Sequence, residues 1–472
     1  MAYKVSYDAN AVQQSASTIP VAAKCDVIVC GGGTAGVGAA IAAARNGADT
    51  VVIERAGFPG GVVSGTMMGV AWSTFEGLSG LGLQIFKELV DSKQAIPGPI
   101  IPFDHEGFKD LAMRKLQESR VKTLFYTMAV DTIREDGLVL GVVIENKSGR
   151  QAILGKTVID CTGDGDMCAL AGAEFIKGRT QDGKMRPVTK LFRLGSVDVN
   201  KVLEWAIANR DQFLKDENIN VIRPDLGLVR LHGFYSLADQ ARANGDLPDE
   251  VHYVRFEYLN FQNNTVLVNS VRVYGIDGTN GWDLARAEME TQQQVRQVER
   301  FCRKYVPGCE NAFLLDTSSM LGVRETRHIV GDYMMEDKDV YDDPAVADAI
   351  LRNSTMMPKY TEVHSADGNE GARSDAGNRE LPWELVQYSI PYRALLVKGF
   401  DNLLVAGRCM SSYHEADRLT RHITACLGTG EAVGTAAALA FKGNCTPRRL
   451  DIGLLQATLE AQGVDVGRPS KN

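Results

Sequence analysis

At 472 residues the chain is about three times the length of a common single domain, which excludes a peptide, a toxin or a lone binding module. Lys and Arg number 51 against 59 Asp and Glu, a formal net charge of −8, so no phosphate-tracking surface is expected and nucleic acid is not an expected partner. The composition is otherwise that of a globular protein, 44% hydrophobic and 23% charged, but its 47 glycines exceed the usual share and ask for many permissive or close-approach backbone positions.

The first 24 residues hold no apolar block of signal-peptide length. No later segment offers about 18 uninterrupted apolar residues, so a cytoplasmic protein without a membrane span is expected. Nine cysteines with no CxxC pair and no zinc-ligand spacing argue against a disulfide framework and against a metal site.

In chain order, Val27 to Val29 form a short apolar run suited to a central parallel strand, and glycines then break it. A helix follows whose small face, Gly36, Ala39, Ala40 and Ala43, permits close packing, and Asn46-Gly47 stops it as a left-handed cap. Thr50 to Ile53 is the second strand, ending at Glu54. Asp104 is a good N-cap for a helix with Phe108, Leu111, Ala112 and Leu116 on one face. From Val121 to Asp160, β-rich runs separated by Glu135-Asp136-Gly137 and Lys147-Ser148-Gly149 predict a small antiparallel meander. Residues 185 to about 390 are more aromatic and interrupted, with a helix around Arg286–Tyr305, and read as a separate substrate lobe. Within it His364–Glu380 is polar and rich in Gly and Asn, a mobile loop or lid. From Asp401 the chain returns to a strand, then a loop and a small-residue helix ending near Phe441.

Gly31-x-Gly33-x-x-Gly36 has the dinucleotide spacing: a tight turn, a close approach of backbone N–H groups to a pyrophosphate, and a helix–strand contact. The strand before it, the helix after it and an acid 21 positions beyond Gly33 complete the unit. Thr34 and Ala35 lead the helix, whose unpaired N–H donors and positive dipole end suit a diphosphate. Glu54, with Arg55 beside it, would meet the adenosine ribose. A nicotinamide dehydrogenase normally keeps its substrate lobe after one compact nucleotide domain. Here the binding character extends to the far C-terminus, which favours FAD over NAD.

Four segments carry a resemblance: CDVIVCGGGTAGVGAAIAAARNGADTVVIERAGFPGG, VIDCTGDGDMCALAGAEF, PGCENAFLLDTSSMLGVRETRHIVGDYMMEDKDV and IPYRALLVKGFDNLLVAGRCMSSYHEADRLTRHITACLGTGEAVG. The chain resembles the FAD-dependent oxidoreductases of the glutathione-reductase-like flavoprotein superfamily, in a large bacterial group. The resemblance implies an α/β fold: a Rossmann-like FAD-binding domain, a parallel sheet plus a small antiparallel meander, assembled from residues 1–184 and 391–472 around an inserted mixed α+β substrate domain at 185–390. It also implies that Gly60-Gly61 and Ser64 line the flavin side of the diphosphate, and that the Ala129 backbone meets the adenine edge. Thr162-Gly163-Asp164 would lie beside the adenosine-diphosphate half. Gly407-Arg408 would lie near the ribityl chain, where many relatives carry Gly-Asp. The helix beginning at Ile423 would aim its N-terminus at the flavin pyrimidine ring and stabilise negative charge there. Thr424 stands where Pro is usual in the family, and His422 where a small apolar residue is usual.

Of seven histidines, His422 stands out by its place at that helix start, and His364 because TEVHS resembles a family segment of the form acidic-x-His. Either could take an O–H or N–H proton while hydride leaves the adjacent C–H. Arg324 and Arg421 could clamp a substrate carboxylate, or form internal pairs with Glu325 and Glu431. Cys25 and Cys30 have redox-pair spacing but lie on the entering strand and read as structural. The expected activity is hydride transfer from a small polar organic molecule to FAD, with oxygen, a quinone or a protein as electron acceptor, and a homo-oligomer is compatible. The rivals are a flavin monooxygenase using NAD(P)H and oxygen, and a non-catalytic binding protein on the same fold.

Overall fold

A computed structural model describes residues 16–213, 228–344, 346–358, 366 and 383–467, together with the backbone of 3–4, 13–14 and 222–223. His364 and the polar stretch around it lie outside the described residues.

Strand β1 (Val21–Lys24) leads to β2 (Val27–Cys30), which is buried at all four positions, as an apolar run covered on both faces must be. Helix α1 (Thr34–Arg45) follows and ends where Asn46 Nδ2 donates to Ala42 O at 2.9 Å and Gly47 takes φ +86°. Strand β3 (Thr50–Ile53) pairs parallel to β2 with Val27 opposite Thr50. Helix α2 (Gly80–Asp91) and helix α3 (His105–Glu118) cover this side. Asp104 caps α3 by accepting from Glu106 N at 3.0 Å, and Phe108, Leu111, Ala112 and Leu116 are all buried.

The β-rich stretch from 121 to 160 divides between two sheets. Strand β4 (Lys122–Leu124) joins the edge of the parallel sheet beside β3. Strands β5 (Met128–Glu135), β6 (Leu138–Asn146) and β7 (Gly149–Leu154) form the antiparallel meander, turning at Asp136-Gly137 and Gly149, all with positive φ. β1 adds to it in parallel, and β8 (Thr157–Asp160) returns to the parallel sheet beside β2. The sequence pattern marked the turns but not which strands share a sheet, because fully buried short runs look alike in either.

A second antiparallel sheet has six strands. Their spatial order is β10 (Ile222–Arg223), β11 (Leu228–Gly233), β12 (Val254–Asn260), β13 (Thr265–Val268), β9 (Phe192–Gly195) and β14 (Phe313–Thr317). Helix α4 (Gly281–Tyr305) covers it, starting five residues before the expected Arg286 because Asn280 caps it, accepting from Trp282 N at 2.9 Å. Val295, Val298 and Phe301 are buried in a core separate from that of the parallel sheet.

The last quarter of the chain returns to the first core. Strands β15 (Ala349–Pro358) and β16 (Trp383–Pro391) form an antiparallel pair whose Ile350, Leu351, Val386, Tyr388 and Ile390 pack with α1 and α2. By composition these residues read as part of the inserted lobe. Strand β17 (Leu403–Val405) completes the five-stranded parallel sheet in the order β17-β8-β2-β3-β4. Helix α5 (His414–Thr420) and helix α6 (Ile423–Lys442) follow.

Helix α6 lies against α1 at backbone distance. A Cβ on Gly430 would come 2.0 Å from Ala35 O, on Gly434 2.1 Å from Ala39 O, and on Gly38 2.4 Å from Leu427 O. No side chain fits at any of these three points. Among the described residues α6 is the one helix long and apolar enough to cross a membrane, and 94% of its apolar window is buried inside the protein.

Candidate functional site

An open cleft runs between the two cores. Its floor at one end is the loop after β2. Gly31 adopts φ +95°, and a Cβ there would meet Cys161 O at 2.3 Å. Gly36 closes the turn from behind, since its Cβ would lie 1.8 Å from Gly31 O. Gly33 differs: a Cβ on it would meet nothing nearer than Gly61 Cα at 3.9 Å and would project beside the cleft that Gly33 lines. Helix α1 starts there with Gly33 as N-cap, no side-chain cap and no acid in its first turn. Its leading N–H groups are therefore left for a ligand.

Glu54 is buried at the end of β3, and both its oxygens are held by backbone: Oε2 accepts from Gly32 N and Oε1 from Ala56 N, each at 2.7 Å. Each oxygen keeps a second lone pair for a ribose hydroxyl. Gly61, at φ +52°, crosses Gly33 so closely that a Cβ would fall 2.9 Å from Gly33 Cα.

On the other wall, Asp160 ties down the turn after β8, its Oδ1 accepting from Thr162 N at 3.0 Å and Thr162 Oγ1 at 2.7 Å. Arg408 Nη2 donates to Asp164 Oδ1 at 2.6 Å, and Thr326 Oγ1 donates to the same oxygen at 2.8 Å. Arg408 is thus matched by an acid of the Thr162-Gly163-Asp164 turn. Gly407 takes φ +81° and comes so near α1 that its Cβ would lie 2.8 Å from Ala35 Cβ.

The start of α6 and residues of the second sheet also line the cleft. Helix α6 starts at Ile423 with His422 as N-cap, again without a side-chain cap or a first-turn acid. His422 Nδ1 lies 2.8 Å from Thr355 Oγ1 on β15. Burial first, then the positive charges of Arg421, Arg418 and Arg186, push the imidazole down to about 3, so the ring is neutral at physiological pH. Thr424 donates to Asn353 Oδ1 at 3.1 Å and meets Ser73 Oγ at 2.5 Å. His422 and Thr424 are therefore both held by β15.

Arg324 and Arg421 line the cleft as well. Neither makes the internal pair suggested by chain proximity. Arg324 Nη1 donates to Pro187 O, and Arg421 Nε lies 3.5 Å from Asp417 Oδ2. Glu325 instead meets His328 Nε2 at 2.8 Å, His414 Nδ1 at 2.7 Å and Arg186 N at 3.0 Å. Burial would raise Glu325, but the hydrogen bonds from His328 and His414 outweigh it and hold the carboxyl well below the usual range. Glu325, His328 and Asp417 bring ligating atoms within 4.8 Å of one another. The guanidiniums of Arg186 and Arg421, 3.6 and 3.5 Å from Asp417 Oδ2, supply the positive charge there.

The cleft brings together Gly31, Gly33, Thr34, Ala35, Glu54, Arg55, Gly61, Thr162, Gly163, Asp164, Gly407, Arg408, Ile423, Arg324, Arg421 and His422. Gly36 supports the loop without lining the cleft, and Ser64 turns away to donate to Pro59 O at 2.7 Å. Ala129 lies on β5 opposite Ile144 and does not line it either. The cysteine pair is inert: burial pushes Cys25 up to about 12 and raises Cys30 as well. Sequence reasoning missed Trp72, Thr189, Arg255, Asn269 and the Met320–Val323 run of the opposite wall. Arg255 on β12 and Asn269 just after β13 carry no local motif, and only the pairing of the second sheet brings them to the cleft.

This geometry fits a long dinucleotide, with two uncapped helix ends and a glycine cradle along one cleft. Solved structures similar to this chain at low identity include a geranylgeranyl bacteriochlorophyll reductase-like protein from Thermoplasma acidophilum, at 14% identity and TM-score 0.48, covering 93% of this chain and 84% of that one. A p-nitrophenol 4-monooxygenase from Pseudomonas putida has 11% identity and TM-score 0.48, with 93% and 88% covered. A myxobacterial chondrochloren halogenase has 10% identity and TM-score 0.49, with 93% and 78% covered. No curated protein matches the chain. The family model described as FAD dependent oxidoreductase matches residues 26–459, nearly the whole chain, and the protein belongs to that family of FAD enzymes.

Proposed function

We propose that this FAD dependent oxidoreductase, built on the glutathione-reductase-like plan, takes hydride from a small polar organic substrate. One observation carries the reading: a neutral histidine at the start of α6 and two arginines line the same cleft as the dinucleotide residues. The Gly31–Gly33 loop and the α1 N-terminus hold the diphosphate, Glu54 and Arg55 the adenosine ribose, and the α6 N-terminus the flavin pyrimidine edge. FAD, when bound, supplies the hydride acceptor and passes the electron pair to oxygen, a quinone or a protein acceptor. His422 takes the O–H or N–H proton of the substrate, and Arg324 and Arg421 orient a carboxylate on it. A bound anion also offsets the cationic field of Arg421, Arg418 and Arg186, raising the basicity of His422 when substrate is present.

The test is anaerobic mixing of the yellow holoprotein with a panel of hydroxy acids, sugars, amines and cyclic alcohols. Bleaching by one of them, slowed on removal of His422, supports the reading. Bleaching by NADPH alone, with none from the panel, would replace it with a monooxygenase.

A further inference from the structure

We propose that Thr355 is a positioning residue that holds His422 in the tautomer protonated at Nδ1, so that Nε2 carries the lone pair offered to the cleft. Its use in catalysis rests on the reading of His422 as the base.

The assignment follows from counting protons. Thr355 is fully buried on β15, and its hydroxyl has one hydrogen to give. Oγ1 makes two contacts. One is to the carbonyl oxygen of Trp72, which can only accept, so the hydroxyl hydrogen is committed there. The other is to His422 Nδ1 at 2.8 Å, where Oγ1 must then act as acceptor and Nδ1 as donor. The ring is neutral, so a hydrogen on Nδ1 leaves none on Nε2. Among the described residues no hydrogen bond reaches Nε2, and His422 lines the cleft.

The surroundings keep this arrangement from relaxing. Asn353, two residues back on β15, accepts from Thr424 and donates to Tyr388 Oη at 2.9 Å; Tyr388 in turn donates to Leu419 O at 2.8 Å. The chain is gripped on both sides of His422, so the backbone that carries the ring cannot shift away from β15 without breaking a buried network. The Trp72 carbonyl also accepts from Met356 N at 3.3 Å, so removing the Thr355 hydroxyl leaves that oxygen with a partner.

The tautomer is read directly by nitrogen NMR of FAD-loaded protein labelled with 15N-histidine, the His422 signals being those lost in His422→Gln. The expected result is a protonated Nδ1 and an unprotonated Nε2 in wild type and in Thr355→Ser. Thr355→Val, which keeps the shape and removes the acceptor, should shift His422 toward the Nε2-protonated form. It should also slow reduction of the flavin by substrate by on the order of 10- to 100-fold, as loss of other ring-orienting partners does, with Thr355→Ser restoring the rate. A wild-type ring protonated at Nε2, or an unchanged tautomer in Thr355→Val, overturns the assignment. The wild-type spectrum decides even if the valine variant does not fold. Unchanged reduction in His422→Ala would remove the base and leave the tautomer result standing, so the two failures are distinguishable.

Discussion

Helices α1 and α6 meet the cleft in the same way, end-on, with no side-chain cap and no first-turn acid, and they touch each other through glycines. They differ in what stands at the tip. At α1 it is Gly33 and backbone alone. At α6 it is His422, held by the hydroxyl of Thr355 from 67 residues away in the chain. A site made of backbone needs only small residues at fixed spacing, whereas a site made of side chains needs partners that the chain delivers from elsewhere. On the proposed reading the glycines control whether the cofactor binds, and the α6 tip controls what is done with it.

The largest effect that would break this contrast belongs to Gly36. A Cβ there would stand 1.8 Å from Gly31 O, backbone that cannot yield without opening the loop. Gly36→Val should fail to give folded protein, or lower the thermal midpoint by well over 10 °C, as read by circular dichroism. Gly33→Val should separate folding from binding. The space around a Cβ is open on the protein side, so the variant should fold with a near-normal melting curve and yet purify without colour. A yellow Gly33→Val protein would show that the loop does not receive the diphosphate.

Glu431 is the one acid inside α6, and it serves a different helix, accepting from Leu81 N at 2.8 Å at the start of α2. Burial pushes it up to about 7 from an ordinary 4.5. The folded state then binds the proton more tightly than the unfolded chain. Its contribution is fully present below about pH 4.5 and is lost as pH rises through about 7. The loss should amount to on the order of 3 kcal/mol in denaturant titrations across that window, and Glu431→Gln should flatten it. The smallest effect is confined to chemistry. His422→Ala should leave FAD bound and the melting curve close to wild type while slowing the reductive half-reaction by about 100-fold in stopped flow. Loss of FAD in that variant would mean that the α6 tip, like the α1 tip, is a binding element only.

Much of the nucleotide half was legible because its signals are local. The run at β2, the glycine spacing, the cap at Asn46-Gly47 and the acid at Glu54 all lie within one strand-helix-strand unit. The meander turns were legible for the same reason, since Asp136-Gly137 and Gly149 mark backbone that must take positive φ. Sheet membership was not. β4 and β8 read as part of the meander, yet they pair with β3 and β2, and nothing in a four-residue buried run says which neighbour it will have. The partners of Arg324, Arg421 and Glu325 were left open by the sequence between a substrate and nearby acids, because which groups surround a side chain depends on how its segment packs.

By itself, then, the amino-acid order determined that a dinucleotide loop exists, where its helix begins and which acid closes it, since backbone approach depends on residue size at short spacing. Only the tertiary structure decided what faces that loop. The approach of α6 to α1, the acid that answers Arg408 and the hydroxyl that holds His422 come from segments 67 to several hundred residues apart. Their meeting is set by sheet order and helix packing, which no local pattern encodes.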